Sequence, residues 1–231
     1  MFNLIKSYYR FFLSSLGVNI KKQKLTYLSF EKLFFLEKTI KAASKVPGNF
    51  IEAGVALGGT SILIASKMPS NRKFRGYDVF SMIPEPKSDK DDYRSKKRYE
   101  IIKSGKSTGI EGDVYYGYIP DLYEKVKDTF RKYNLDPDSN KISLVKGLFE
   151  NTLRFGECDR IAFAHIDCDW YDPVRLCLEK ISPALNVGGY IILDDYLDYG
   201  GCKKAVDEFL TNCSDFDVVR YAPNCILVKR S

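Results

Sequence analysis

Acidic residues gather at two places where an apolar run stops. Arg160 to Asp167 (RIAFAHID) reads as a buried central strand, and it runs out into Asp167-Cys168-Asp169-Trp170-Tyr171. Tyr190 to Asp194 (YIILD) reads as another strand and ends on Asp194-Asp195, 27 residues beyond Asp167. If these strands are neighbours, Asp167, Asp194 and Asp195 converge on one edge of a sheet. Carboxylates crowded in that way repel and raise one another's pKa, which a hard divalent cation such as Mg²⁺ relieves. Such a centre activates hydroxyl groups: coordination lowers an alcohol's pKa, and Asp169, two residues beyond Asp167, can take the proton. The competing reading is that these acids cap helices and loops, as Asp172 is expected to do ahead of Pro173. His165, the single histidine, reads as a core residue, and Trp170 and Tyr171 either stack on a sugar face or pack. With one histidine and six cysteines lacking any CxxC pair, a Cys/His zinc site is hard to build, so carboxylates must do any metal work.

A second constellation lies earlier in the chain. Asn49 to Ala53 reads as a short strand, Gly54 to Gly59 as a turn, Thr60 to Lys67 as a helix and Lys73 to Asp78 as the next strand, together one βαβ unit. In parallel sheets ligands settle at the carboxyl ends of strands where the strand order reverses. The turn from Glu52 through Gly54 to Thr60 therefore falls where a nucleotide-like ligand would bind, with Glu52 and Gly54 as candidate cofactor contacts. Gly54 lets backbone come close, Gly58 and Gly59 permit a tight bend, and the helix amino end offers N–H groups to a carboxylate. The spacing departs from G-x-G-x-x-G, as expected when no pyrophosphate is cradled. Asp78, 24 residues beyond Gly54, ends the second strand where an acid can accept both ribose hydroxyls. Methyl transfer from a sulfonium is a reaction such a pair of sites could serve, because it needs an alkoxide-like oxygen in line with the methyl group.

Stepping outward, helical and extended periodicities alternate. Thr26 to Lys45 is expected to be a helix stopped at Val46-Pro47-Gly48, Pro120 to Tyr133 a helix, Lys141 to Lys146 a strand and Val174 to Ile181 a helix. Asn186 to Gly189 should turn the chain into the next strand. The tail carries a helix, Gly201 to Leu210, and strands Asp217 to Tyr221 and Cys225 to Lys229. The expected class is α/β: a Rossmann-like, doubly wound, mostly parallel seven-stranded sheet with an antiparallel last strand and helices on both faces. Such a final hairpin is how class I methyltransferases end. Residues 79 to 118 break the rhythm, and the stretch from about 84 to 118 reads as a lid or insertion over a binding site.

Length and composition agree with one decorated domain. The chain has 231 residues, 45% hydrophobic and 29% charged, with a net charge of +6 spread among acids. No basic stripe interleaved with aromatics points to nucleic acid. The cysteines read as core thiols in a reducing, cytoplasmic setting. Residues 2 to 18, broken by Lys6 and Arg10, fit neither a signal peptide nor a membrane span. They read as an amphipathic, aromatic helix packing on its own domain or on a partner subunit, the alternative being an interfacial membrane anchor. Residues 1 to 24 are thus an arm on a domain spanning 25 to 231.

The chain resembles the macrocin O-methyltransferase (TylF/MycF-like) family from about Leu25 to Phe209. The resemblance is carried by NFIEAGVALGGTSILIA, by YDVFSMIPEP against a D-S-F-E-G-L-P-x-P pattern, by VKGLFENTL, by HIDCDWYDP and by VGGYIILDDYLDYGGCKKAVDEF. It implies an S-adenosylmethionine-dependent enzyme methylating sugar hydroxyls of antibiotics, nucleotide sugars or polysaccharides. It further implies Asp167, Asp194 and Asp195 as metal ligands, Asp169 as base and Asp78 as ribose ligand. Gly54, Thr60 and Ser61 would form the methionine-side loop, Gly147 and Phe149 would lie near the adenine, and the amino-terminal region would join copies into a homo-oligomer. Val79 and Met82 replace the usual Ser and Gly, and Ser88 to Tyr118 has no obvious counterpart. Two other readings stand beside this one. A dinucleotide oxidoreductase explains Gly54 and Asp78 but leaves the acids without work, and a non-catalytic relative would use neither site.

Overall fold

Alternate residues of the central strands face opposite layers. In β1 (Asn49–Ala53) Phe50 belongs to one buried cluster, while Ile51 and Ala53 belong to the other. In β4 (Ile161–Ile166) Phe163 sides with Phe50, ring stacked on ring at 5.5 Å, whereas Ala164 and Ile166 side with Ile51. A strand buried on both faces needs apolar residues at nearly every position, which is why these segments read as continuous apolar runs.

The computed structural model describes residues 8–231. Besides β1 and β4 the sheet contains β2 (Phe74–Asp78), β3 (Ile142–Lys146), β5 (Leu185–Leu193), β6 (Phe216–Arg220) and β7 (Cys225–Lys229), in the order β3-β2-β1-β4-β5-β7-β6. All neighbouring pairs are parallel except those of β7, which runs antiparallel between β5 and β6. The helices are α1 (Ser15–Lys22), α2 (Phe30–Ala43), α3 (Gly59–Lys67), α4 (Tyr93–Lys103), α5 (Leu122–Lys132), α6 (Phe149–Thr152), α7 (Tyr171–Ala184) and α8 (Gly200–Asn212). Side chains of α1, α2, α3 and α5 fill one layer, among them Ile20, Leu36, Ile62 and Phe130, and those of α7 and α8 fill the other, among them Val174, Cys177 and Val206. No helix among the described residues is long and apolar enough to cross a membrane.

Several boundaries differ from the sequence expectation, each for a local reason. The amino-terminal segment is not one helix: residues 8–12 are helical, then Ser14 restarts the chain as the cap of α1 by accepting from the Gly17 N–H at 3.1 Å. Its first seven residues lie outside the described residues. The helix expected from Thr26 begins at Phe30, because Ser29 caps it through the Lys32 N–H and Thr26 is spent on a turn with the Leu28 N–H, both at 3.1 Å. Asn186 to Gly189 does not simply turn into β5. The strand starts at Leu185, and the register slips between the Ile161–Leu185 and Phe163–Tyr190 pairs, with Gly188 at φ +79°.

Asp172 does not cap α7. The helix opens at Tyr171, leaving Asp172 in the first turn, and the free Tyr171 N–H is taken at 2.9 Å by Asp91, a residue of the expected lid. Its neighbour Asp92 caps α4 through the Ser95 N–H at 2.8 Å and also accepts from the Gly200 N–H of α8 at 3.0 Å. The stretch after β2 is therefore no irregular loop: it carries an 11-residue helix, and its Tyr99, Ile102 and Tyr115 are buried. Asp91→Ala is expected to lower stability by about 1–2 kcal/mol, because it leaves a buried helix N–H unpaired, and Asp172→Ala by under about 0.5 kcal/mol. Urea midpoints of the two variants check the order.

Register decides where the site falls. Tyr77 of β2 pairs with Ala53 of β1, Ala53 with Ile166 of β4, and Ile166 with Leu193 of β5. The residues that follow in each strand, Asp78, Gly54, Asp167 and Asp194, consequently leave the sheet at one level of its carboxyl edge. The strand order reverses between β1 and β4, so these residues meet at the crevice where ligands bind in such sheets.

Candidate active site

The glycine turn is held from within. Gly54 has φ +97°, and a Cβ placed on it would lie 1.8 Å from the Asp167 carbonyl oxygen. Glycine is thus demanded here by the neighbouring acid-bearing tip, where the sequence had pointed to a ligand. The Val55 and Ala56 N–H groups donate to Asp78 Oδ2 at 2.8 and 2.9 Å, and the Phe80 N–H to Oδ1 at 2.6 Å. Asp78 lines the crevice, yet three backbone donors already occupy most of its accepting capacity. The Gly59 N–H at the start of α3 is likewise taken by the Leu25 carbonyl at 3.0 Å, so that donor is not free for a carboxylate. Thr60 and Ser61 are buried behind the turn, and the Gly147 N–H donates to the Asp78 carbonyl at 2.9 Å.

Asp167, Asp194 and Asp195 do converge: one carboxylate oxygen from each lies within 4.8 Å of the others. Asp169, at φ +59°, donates its backbone N–H to Asp195 Oδ2 at 3.0 Å. An aspartate in the left-handed region is uncommon, and such positions concentrate at functional sites. Lys32 of α2, which no local pattern distinguished, reaches in from the side. Its Nζ lies 2.8 Å from Asp194 Oδ2 and 2.7 Å from Asp198 Oδ2.

Beneath the acids runs a buried polar chain. Glu52 accepts from the Ser61 hydroxyl and lies 2.7 Å from His165 Nδ1, so neither Glu52 nor Ser61 faces the crevice. His165 is indeed a core residue, but only its Nδ1 is satisfied: Nε2 points toward Asp194 Oδ1 at 3.8 Å, and neither atom has a hydrogen-bond partner among the described residues. Burial opposes the imidazolium, yet Asp194 and Glu52 outweigh it and push the His165 pKa up to about 10.

The carboxylates are strongly perturbed. Burial first, then Asp194 and Asp195, hold Asp167 well above the usual range; burial and Asp195 do the same to Asp169. Asp195 is pushed up to about 7 by burial and by Asp194. Asp194 goes the other way, because His165 and Lys32 outweigh its burial. Acids raised on folding contribute stability that is fully present below about pH 4 and lost as pH rises through their folded values. The contribution of Asp194 is already complete above pH 4 and does not offset that loss. In chelator the thermal midpoint is expected to fall from pH 5 to 8, and to fall less in Asp195→Asn. Parallel curves for the two proteins would contradict this account.

Two cavities open on this edge, of about 420 and 210 Å³. Gly54, Asp78, Asp167, Asp169 and Trp170 line both, so the cavities meet at the acids. The larger adds Lys32, Asp194 and Asp195 together with Arg94, Arg98 and Tyr115 from the lid, and the smaller adds Val79, Leu148 and Phe149. Trp170 walls both, its indole N–H donating to the Pro84 carbonyl at 3.0 Å, while Tyr171 packs and bonds Glu208 at 2.5 Å. Of the cysteines, Cys168, Cys177, Cys202 and Cys225 are buried as expected, but Cys158 is exposed; all six are free thiols.

Three hard oxygen donors, a buried unpartnered oxygen on Asp194 and an excess of negative charge fit a hard divalent cation. A sheet with one antiparallel strand near its edge and acids at the β4 and β5 tips has the architecture of class I methyltransferases. The solved structure of the O-methyltransferase NovP shares it, with a TM-score of 0.72 at 24% identity over 90% of this chain and 82% of that one. The chain belongs to the macrocin O-methyltransferase (TylF) family, whose profile matches residues 22–214. Relatives include the demethyldecarbamoylnovobiocin O-methyltransferase of Streptomyces niveus, 28% identical over 72% of this chain. Another is the 8-demethyl-8-(2,3-dimethoxy-alpha-L-rhamnosyl)-tetracenomycin-C 4'-O-methyltransferase of Streptomyces olivaceus, also 28% identical over 72%. The matches span 59% of each of these relatives.

Proposed function

We propose that the chain is an S-adenosylmethionine-dependent O-methyltransferase acting on a hydroxyl of a sugar or similar polyol, with a divalent cation such as Mg²⁺ held by Asp167, Asp194 and Asp195. The observation that carries this is the meeting of two cavities at one sheet edge, with Asp167 and Asp169 lining both and Asp194 and Asp195 beside them in the larger. The names of the relatives, one of which specifies a rhamnosyl group, support a sugar acceptor. In this reading the nucleoside end of the donor lies in the smaller cavity near Phe149 and Gly147, with Asp78 beside the ribose. Gly54 and the buried Glu52, Thr60 and Ser61 fix the turn behind the methionine end. The acceptor enters the larger cavity. Bound there, the cation would lower the pKa of a coordinated hydroxyl. Asp169, whose raised pKa suits proton uptake, takes the proton, and Lys32 offsets the charge of Asp194 and Asp198. The amino-terminal arm joins copies of the chain, and residues 84 to 118 form the lid.

The test is incubation with S-adenosylmethionine, Mg²⁺ and a panel of nucleotide sugars, glycosides and glycans, reading methylated product by mass with and without chelator. Mg²⁺ should also raise the thermal midpoint of the wild type but not of Asp167→Ala. Tight NAD(H) binding with none for S-adenosylmethionine would overturn the assignment.

A further inference from the structure

The lid helix α4 is strongly basic, with Arg94, Lys96, Lys97, Arg98 and Lys103 against the single acid Glu100. Spacing of four residues puts Arg94 and Arg98 on one helix face, and both line the larger cavity. Two other cations nearby are paired, Lys32 with Asp194 and Asp198 and Lys90 with Glu208 at 2.8 Å, while Lys87 lines only the smaller cavity. Neither Arg94 nor Arg98 has a carboxylate within 4.0 Å among the described residues, although Asp169, Asp195 and Asp198 line the same cavity. Each guanidinium instead lies over a ring, Arg94 at 5.8 Å from the Tyr199 centroid and Arg98 at 5.6 Å from that of Tyr115. A guanidinium held over a ring and paired with no carboxylate keeps its donors available in the fixed fork that matches phosphate and carboxylate oxygens. The helix cannot easily swing the pair elsewhere, since Asp92 ties its start to α8. The cavity is thus bipolar, acidic at the floor where a hydroxyl would be deprotonated and cationic at the rim.

From this we infer that the acceptor is an anionic sugar, whose phosphate or carboxylate is gripped by Arg94 and Arg98 while one of its hydroxyls reaches Asp169. The inference rests on the larger cavity being the acceptor side, and it excludes a neutral glycoside as the preferred substrate. A nucleotide sugar supplies the anion as a pyrophosphate, and a uronic acid supplies it as a carboxylate.

The experiment is calorimetric titration of the full chain, in chelator, with inorganic pyrophosphate, UDP-glucose, methyl glucuronide and neutral methyl glucoside. Arg94→Gln and Arg98→Gln are compared with Arg98→Lys, and S-adenosylmethionine binding is measured alongside. Pyrophosphate and UDP-glucose should bind if the phosphate arm is right, and methyl glucuronide if the carboxylate arm is. Each Gln variant should weaken that binding about 10- to 100-fold, Arg98→Lys less, with added salt acting in the same direction. Donor affinity should stay within about twofold in all variants, which also reports that they fold. If no anion binds better than methyl glucoside, or if binding ignores both arginines, the anionic acceptor is wrong even where S-adenosylmethionine binds. Loss of donor binding in the wild type would instead remove the methyltransferase reading and leave the anion result to stand alone.

Discussion

Asp169→Asn is expected to lower kcat by about 10²- to 10⁴-fold, the range over which a positioned base acts, while leaving S-adenosylmethionine affinity within about twofold. The substitution is a clean one. Asn tolerates the left-handed backbone that Asp169 adopts at φ +59°, and the N–H that donates to Asp195 is untouched. The Asp169 carboxylate accepts no hydrogen bond among the described residues and lines both cavities, so the substitution breaks no hydrogen bond of the fold. Single-turnover rates and donor titrations check this, and a kcat within fivefold of wild type would place the base elsewhere.

Gly54→Ala carries the largest expected cost to the fold, on the order of 4 kcal/mol or more, together with loss of donor binding. Backbone strain at positive φ accounts for only about 1–2 kcal/mol of that. The rest follows from a methyl group 1.8 Å from the Asp167 carbonyl oxygen, which forces the β1 and β4 tips apart. Gly105→Ala is the matched control: its φ of +74° imposes similar strain, but nothing lies within 4 Å of the added carbon. Chemical denaturation should separate the two variants by at least about 2 kcal/mol, and equal losses would mean that the close approach does not matter.

The acid cluster was legible because Asp167 and the Asp194-Asp195 pair end continuous apolar runs, so the end of each run locates them without tertiary knowledge. The antiparallel β7 was legible for a different reason, since the short link between Asp217 to Tyr221 and Cys225 to Lys229 leaves room only for a hairpin. Partners fixed by distant contacts were not. Lys32 meets Asp194 across 162 positions of chain, and within its own helix it looks like any solvated lysine. The role of Asp78 was read from its place at a strand end, which cannot reveal that Val55, Ala56 and Phe80 send their N–H groups to it. Glu52 and Ser61 stood beside the glycine turn in sequence, but strand alternation turns Glu52 toward His165, and Ser61, at the buried start of α3, donates to Glu52. The cap of α7 was sought in Asp172, the nearest acid, whereas it comes from Asp91, 80 residues earlier. The arginines of α4 were hidden because charge-rich Ser88 to Tyr118 offered no apolar stripe by which to orient a helix.

The paired anchorage of Asp91 and Asp92 bears on how acceptor choice can be re-engineered. These two carboxylates fasten the cover to the helices that follow the two acid-bearing tips, so excising the whole segment would disturb the floor as well as the roof. A chimera that exchanges only residues beyond this double rivet, keeping the Asp-Asp step and the buried Tyr115 as splice points, transplants the rim chemistry onto an intact base. Any exchange within this cover meets the same limit: the canopy can vary between its fastenings and not at them.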